Sequence, residues 1–167
     1  AVLYIHGWTD YFFQTELADF WAGQGVAFYA LDLRRYGRSL RPGQTPGYVT
    51  DLQDYDADIE AAMAALTDHV RSAREADTPV RISLMAHSTG GLVASLWAHR
   101  HPGRIEALIL NSPWLELRGS WIVRTATAGL LEPLARLRPK ARLKVPELTN
   151  YWRSLSRDGD GEWDLDP

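Results

Sequence analysis

The chain has 167 residues, of which 46% are hydrophobic and 23% charged, with seven Trp, which is enough apolar mass for one substantial core. A net charge of -3 excludes the basic footprint of a nucleic-acid binder, and the absence of Cys excludes disulfides and thiolate metal ligands. No run is apolar for long enough to cross a bilayer, and the first residues lack the basic start and long apolar core of a signal peptide. With no cysteine to suggest an oxidising compartment, the expected location is the cytoplasm.

Taken in chain order, Ala1-Val2-Leu3-Tyr4-Ile5 is a continuous apolar run, the pattern of a strand buried on both faces, and His6-Gly7-Trp8 follows at its end. A helix is predicted from about residue 12 to residue 24, ended by Gly25. Residues 26–31 form a second buried strand that leads into Asp32-Leu33-Arg34-Arg35-Tyr36-Gly37-Arg38-Ser39. Residues 41–47 are dense in Pro and Gly and read as a loop, expected beside the mouth of a site. The next helix is predicted over residues 52–75, where Ile59, Met63, Leu66, Val70 and Ala73 recur at three- and four-residue spacing as its buried stripe. Its first turns carry Asp51, Asp54, Asp56 and Asp58. Carboxylates are favoured there by the helix dipole, so the cluster reads as a helix-start signature rather than a metal site.

The most informative stretch is Arg81-Ile82-Ser83-Leu84-Met85-Ala86-His87-Ser88-Thr89-Gly90-Gly91-Leu92. An apolar strand runs straight into small-x-Ser-x-Gly and then into a helical pattern. A strand-turn-helix elbow presents a serine at the tip of a sharp, strained turn, and the residues two before and two after it must be small. Ala86 and Gly90 meet that demand, Ala86 standing where glycine is more usual. Residues 105–110 then form a fourth strand, closed by Asn111-Ser112-Pro113.

These blocks, in this order and spacing, resemble the α/β-hydrolase superfamily, and more narrowly its esterase, monoacylglycerol lipase and lysophospholipase-like branch, of serine aminopeptidase S33 type. The resemblance covers roughly residues 1 to 115. It implies a partial α/β-hydrolase fold: a mostly parallel sheet, holding the third to sixth strands of the family, flanked by helices, with an incomplete core over residues 1–117 and an incomplete helical cap over residues 118–167. It further implies that Ser88 is the nucleophile and that the backbone N–H groups of Trp8 and Thr89 form the oxyanion hole. His6, Gly7, Ala86, His87 and Gly90 would shape the elbow and the loop beside it, His6 by side-chain hydrogen bonding rather than as a base. Family members place the catalytic acid after the seventh strand and the histidine after the eighth, so the chain is expected to be an internal piece of a longer protein, inactive alone.

The implied reaction is cleavage of carboxylic esters, of acylglycerol or lysophospholipid type, through a Ser-His-Asp triad. It calls for no metal and no organic cofactor. The implied partner is a small-molecule acyl ester, with no nucleic acid and no obligate protein partner. An aspartate at position 88 would have indicated dehalogenase or epoxide hydrolase chemistry; Ser88 argues against both. An aminopeptidase or an acyltransferase stays open, because one triad serves all three. A hydrolase-like scaffold that binds without catalysis is the reading from a different class. A nucleotide-binding fold is disfavoured, since no Gly-x-Gly-x-x-Gly follows the first strand.

Within the cap, Trp121, Ile122, Val123, Leu130, Leu131, Leu134 and Leu137 mark an amphipathic helix, followed by the basic run Arg136, Arg138, Lys140, Arg142 and Lys144. Contact with a lipid surface and a solvated cap face are both open readings. The acidic tail from Asp158 fails the register of a calcium loop, which needs glycine where Trp163 stands. His69, His99 and His101 are expected as surface residues near helix ends. Asn111 and Glu116 stand where a minority of the family keep the acid, but an amide carries no charge.

Overall fold

Four short apolar runs become four parallel strands because each is bounded by turn chemistry and followed by a segment that folds back over the sheet. In the computed structural model the described residues are 1–8, 10–73 and 79–115, with 133, 136–139, 154, 157 and 159 as isolated further positions. The chain divides into two compact units, Ala1–Arg118 and Gly119–Pro167, and the elements below all belong to the first.

The strands are β1 (Val2–Ile5), β2 (Phe28–Leu31), β3 (Ser83–His87) and β4 (Leu108–Asn111), in sheet order β2-β1-β3-β4 with every pairing parallel. The helices are α1 (Thr15–Gly23), α2 (Asp56–Ser72) and α3 (Thr89–Arg100). This is the partial, parallel α/β-hydrolase sheet that the family resemblance implies. Its two most central strands are also the driest: all four residues of β1 are buried, and Leu84 and Ala86 of β3 are fully enclosed.

Strand alternation sorts the core. Leu3 and Ile5 stand level with Leu84 and Ala86 and share one cluster with Ile59, Met63, Leu66 and Val70 of α2 and Val93, Ala94 and Trp97 of α3. Each large side chain buried there contributes about 1.5–3 kcal/mol. Tyr4 belongs to the other face, where the Phe12 ring meets it edge-on at 5.5 Å and Phe28 packs against both.

That packing shifts the first helix. The sequence reading began it at Phe12, but Phe12 is committed to Tyr4 and Phe28, and α1 starts at Thr15. Its end is as expected: Gly25 takes a φ of 70°, its N–H donates to Ala22 O, and the Val26 N–H donates to Trp21 O. These are the two bonds of a glycine-terminated helix end.

The second helix is shorter than predicted. Leu52–Tyr55 is a separate 3₁₀ turn, capped by the Asp51 carboxylate accepting the Gln53 N–H, and α2 proper starts at Asp56. Ile59, Met63, Leu66 and Val70 are buried as expected, whereas Ala73 lies past the helix end and is exposed. The acidic cluster does more than answer a dipole. Asp58 binds the Arg34 guanidinium at 2.9 Å, and Asp56 accepts from Arg100 and from His101 Nε2, tying the start of α2 to the end of α3. His101, expected as a plain surface residue, is half-buried in that tie and lies against Trp97.

The amphipathic cap helix, most of the basic run, the acidic tail and Glu116 lie outside the described residues. Leu137, assigned above to the apolar stripe of the cap helix, is described and is 82% exposed.

Candidate active site

Ser88 sits between the last residue of β3 and the first of α3 with φ 51° and ψ -121°, a region that L-residues rarely occupy. Only surrounding structure holds such a conformation, at about 1–3 kcal/mol. Among the described residues, two other non-glycine residues have positive φ, Arg35 and Ser112. Ser112 directly follows β4 as Ser88 follows β3, and Arg35 lies in the loop four residues past the end of β2, so the strained backbone falls beyond the C-terminal ends of the strands, where open α/β sheets place their ligands.

Backbone contacts hold the elbow. The Ser88 N–H donates to Asn111 O, and Ser88 O accepts from the N–H groups of Gly91 and Trp114. Asn111 therefore acts through its main chain, not as a stand-in acid. The requirement for glycine is steric: a Cβ on Gly90 would lie 2.2 Å from His6 O and 2.7 Å from Ile5 O. α3 thus starts in direct backbone contact with the end of β1. Gly91 meets Pro113 in the same way, at 2.7 Å. Ala86 is fully buried, level with Ile5.

The turn after β1 lies directly over this elbow, since a Cβ on Gly7 would be 3.2 Å from both Ser88 Cβ and His87 Cδ2. Here side chains do the holding. His6 is 1% exposed; its Nδ1–H donates to Gly7 O at 2.8 Å, and its Nε2 accepts the Leu33 N–H at 3.1 Å. Those two partners require the neutral tautomer. Burial is the largest influence and holds the imidazole below the ordinary histidine range, against the raising pull of the Gly7 carbonyl and Asp10. Gly7 O and the Trp8 N–H belong to one trans peptide, where they point in opposite directions. His6 thereby sets the direction of the Trp8 N–H.

Asp10 completes the turn, and the sequence reading passed over it. Its carboxylate, buried at 7% exposure, accepts the Tyr11 N–H at 2.8 Å and the Gly7 N–H at 3.4 Å. Burial pushes this carboxyl up, the Tyr11 bond opposing it. The signal was available in Gly7-x-x-Asp10, because a short acidic side chain commonly accepts backbone N–H groups a few residues away.

A third layer supports the second. Tyr36 packs against His6 at 4.9 Å and Trp8 at 6.3 Å between ring centres. Its loop is clamped by Asp32, which accepts from Arg38 through the backbone N–H at 2.9 Å and through the guanidinium at 2.7 Å. Burial pushes the Asp32 carboxyl up, but the Arg38 donors outweigh it and hold the group below the ordinary carboxylate value.

Of the expected site residues, the structure brings His6, Gly7, Trp8, Ala86, His87, Ser88, Thr89 and Gly90 to one edge. The N–H groups of Trp8 and Thr89 have no hydrogen-bond partner among the described residues, nor has the Ser88 hydroxyl. The His87 ring lies against Gly7 through its Cδ2, and its Nδ1–H donates to Asn111 O at 3.2 Å.

Known proteins are similar to this chain. The family model described as "Serine aminopeptidase, S33" matches residues 1–160. Phospholipase YtpA of Bacillus subtilis is 32% identical over 71% of this chain and 42% of its own length. Human 1-acylglycerol-3-phosphate O-acyltransferase ABHD5 is 30% identical over 52% of this chain and 22% of its own. A monoglyceride lipase from Saccharomyces cerevisiae, solved with a substrate analog, superposes with a TM-score of 0.67 at 24% identity over 86% of this chain and 46% of that one. The chain thus spans less than half the length of these relatives. With 160 of its residues matched by that model and a strained serine at the end of its third strand, this chain belongs to the serine aminopeptidase S33 family, on the α/β-hydrolase fold.

Proposed function

We propose that Ser88 is the nucleophile of a serine hydrolase acting on carboxylic esters of the acylglycerol or lysophospholipid class. The observation that carries this reading is the Ser88 backbone, held at φ 51° beneath a turn whose Trp8 N–H is directed by His6. In the reaction a histidine takes the proton from Ser88 Oγ as the oxygen attacks the ester carbonyl, and the carbonyl oxygen becomes an oxyanion. The Trp8 and Thr89 N–H groups stabilise that charge, each contributing about 3 kcal/mol. Protonation of the leaving alcohol and attack by water complete the turnover.

Neither His6, with both ring nitrogens engaged, nor His87, turned toward Asn111, is placed to serve as the base. The reading assigns base and acid to segments following residue 167, as the family resemblance implies. That similar proteins include a phospholipase and a monoglyceride lipase supports an acyl ester. The acyltransferase relative favours a second reading, in which an alcohol rather than water accepts the acyl group.

The test is active-site titration with a fluorophosphonate on the protein carrying those further segments. Labelling of Ser88, lost in Ser88→Ala together with ester turnover, is the expected result. Absence of labelling in the folded protein supports a binding scaffold instead. Comparing acyl esters with aminoacyl amides, and water with added alcohol, separates esterase, peptidase and transferase. The 167-residue chain alone is expected to be slower by on the order of a millionfold; ester turnover by it, abolished in Ser88→Ala, would overturn the placement of the base.

A further inference from the structure

Beside the oxyanion turn, on the side of the Asp32 loop, lies a cleft of ≈ 250 Å³ walled by Trp8, Tyr11, Tyr36, Leu40 and Pro46, with Asp10 also in its lining. It is smaller than the roughly 300–1,000 Å³ of pockets that take a whole drug-sized ligand. A single ring or a short chain is the scale that fits. Its charged lining groups are already engaged: Asp10 by the Gly7 and Tyr11 N–H groups, and Arg35 by Tyr48, whose carbonyl it binds at 2.7 Å and whose ring it overlies. What the wall offers an incoming group is aromatic and aliphatic surface.

The cleft is also held in shape. The Gly47 N–H donates to Arg35 O at 2.9 Å, across the loop that carries Leu40 and Pro46. A Cβ on Gly47 would come 2.7 Å from the Tyr36 hydroxyl, so the two sides of the floor touch. Trp8 and Leu40 nevertheless remain 45% and 39% exposed, large apolar side chains left open at the rim.

We propose that this cleft receives an apolar group of the substrate, of ring or short-chain size, next to the ester carbonyl at Ser88. The proposal rests on the Ser88 reading for its substrate but not for its binding. Trp8 joins the two features, its N–H belonging to the oxyanion turn and its ring to the cleft wall. Leu40 is the specificity-determining position, because it lines the cleft and is an exposed apolar side chain at its rim.

The test uses fluorine NMR of two probes: 4-fluorophenylacetate for the acyl side and 4-fluorobenzyl alcohol for the alcohol side. Each is titrated into the chain, its Leu40→Trp and Leu40→Ala variants, and Ser88→Ala. At least one probe is expected to bind, to bind Ser88→Ala equally, and to lose tenfold or more in affinity when Leu40→Trp fills the cleft. Which probe responds decides whether the cleft serves the acyl or the alcohol side. Should Leu40→Trp fail to fold, Leu40→Ala, which removes one wall at an exposed position, is expected to weaken the same probe at least threefold. Binding of neither probe, or equal binding to the parent and to whichever variant folds, overturns the proposal. No turnover is needed for this readout, so failure of Ser88 labelling leaves it intact, and its own failure leaves Ser88 labelling intact.

Discussion

The serine elbow and the turn above it meet at one edge of the sheet, yet they are built by opposite means. The elbow is held by main-chain bonds, Ser88 to Asn111 and Trp114, and by two glycines that let backbones touch. The turn above it is held by two buried polar side chains, His6 and Asp10. A site that must keep a nucleophile fixed can thus rely on bonds that no side-chain truncation removes. The Trp8 N–H, the proposed oxyanion donor, depends for its direction on ionisable groups instead, and with them on pH.

The largest effect expected from breaking this division is Gly90→Ala. The added methyl would press on the His6 and Ile5 carbonyls, backbone atoms with no rotamer to yield. A loss of about 3 kcal/mol or more is expected, above the usual range for overpacking, read as a lowered thermal midpoint. His6→Ala comes next. It opens a void and leaves the Leu33 N–H without its partner, for about 3 kcal/mol, and in the active protein kcat is expected to fall further than KM rises.

Acid provides a test without mutation. Because the folded chain holds His6 below its ordinary value, the His6 contribution to stability is full above about pH 6.5 and is lost as pH falls toward the folded value. Asp10, with its carboxyl pushed up, runs the other way: its contribution is full below about pH 3.9 and is lost as pH rises through the raised value. A melt series is expected to show stability declining on acidification below about pH 6.5, and that portion should vanish in His6→Gln. An unchanged profile in His6→Gln would remove His6 from the account of the turn. The smallest effect sharpens the contrast from the other side. Asn111→Ala leaves the carbonyl that holds Ser88 in place, so a change within about 0.5 kcal/mol is expected. A loss of several times that figure would show the elbow to be side-chain-held after all.

Much of this site could be read in the sequence. The strand-to-helix change around Ser88, with small residues two positions to either side, follows from local sterics, and local sterics is what sequence spacing encodes. Asp10 was missed because a lone acid in a polar, aromatic loop carries no mark of burial until Tyr11 and Gly7 turn their N–H groups onto it. The helix starts were misplaced for a related reason. Phe12 has helical surroundings in sequence, and only its contact with Tyr4 and Phe28 removes it from α1.

By itself the sequence determined the strand runs, the serine at its turn and the need for a small residue two positions on, since periodicity and backbone strain act between near neighbours. The tertiary structure alone decided that Gly90 is required by the His6 carbonyl, that Asn111 serves through its backbone and that Asp56 ties α2 to α3. It also decided that Trp8, Tyr36, Leu40 and Pro46 enclose one cleft. Each of these joins residues distant in the chain, and the pairing of distant residues is set by how the sheet and its layers pack.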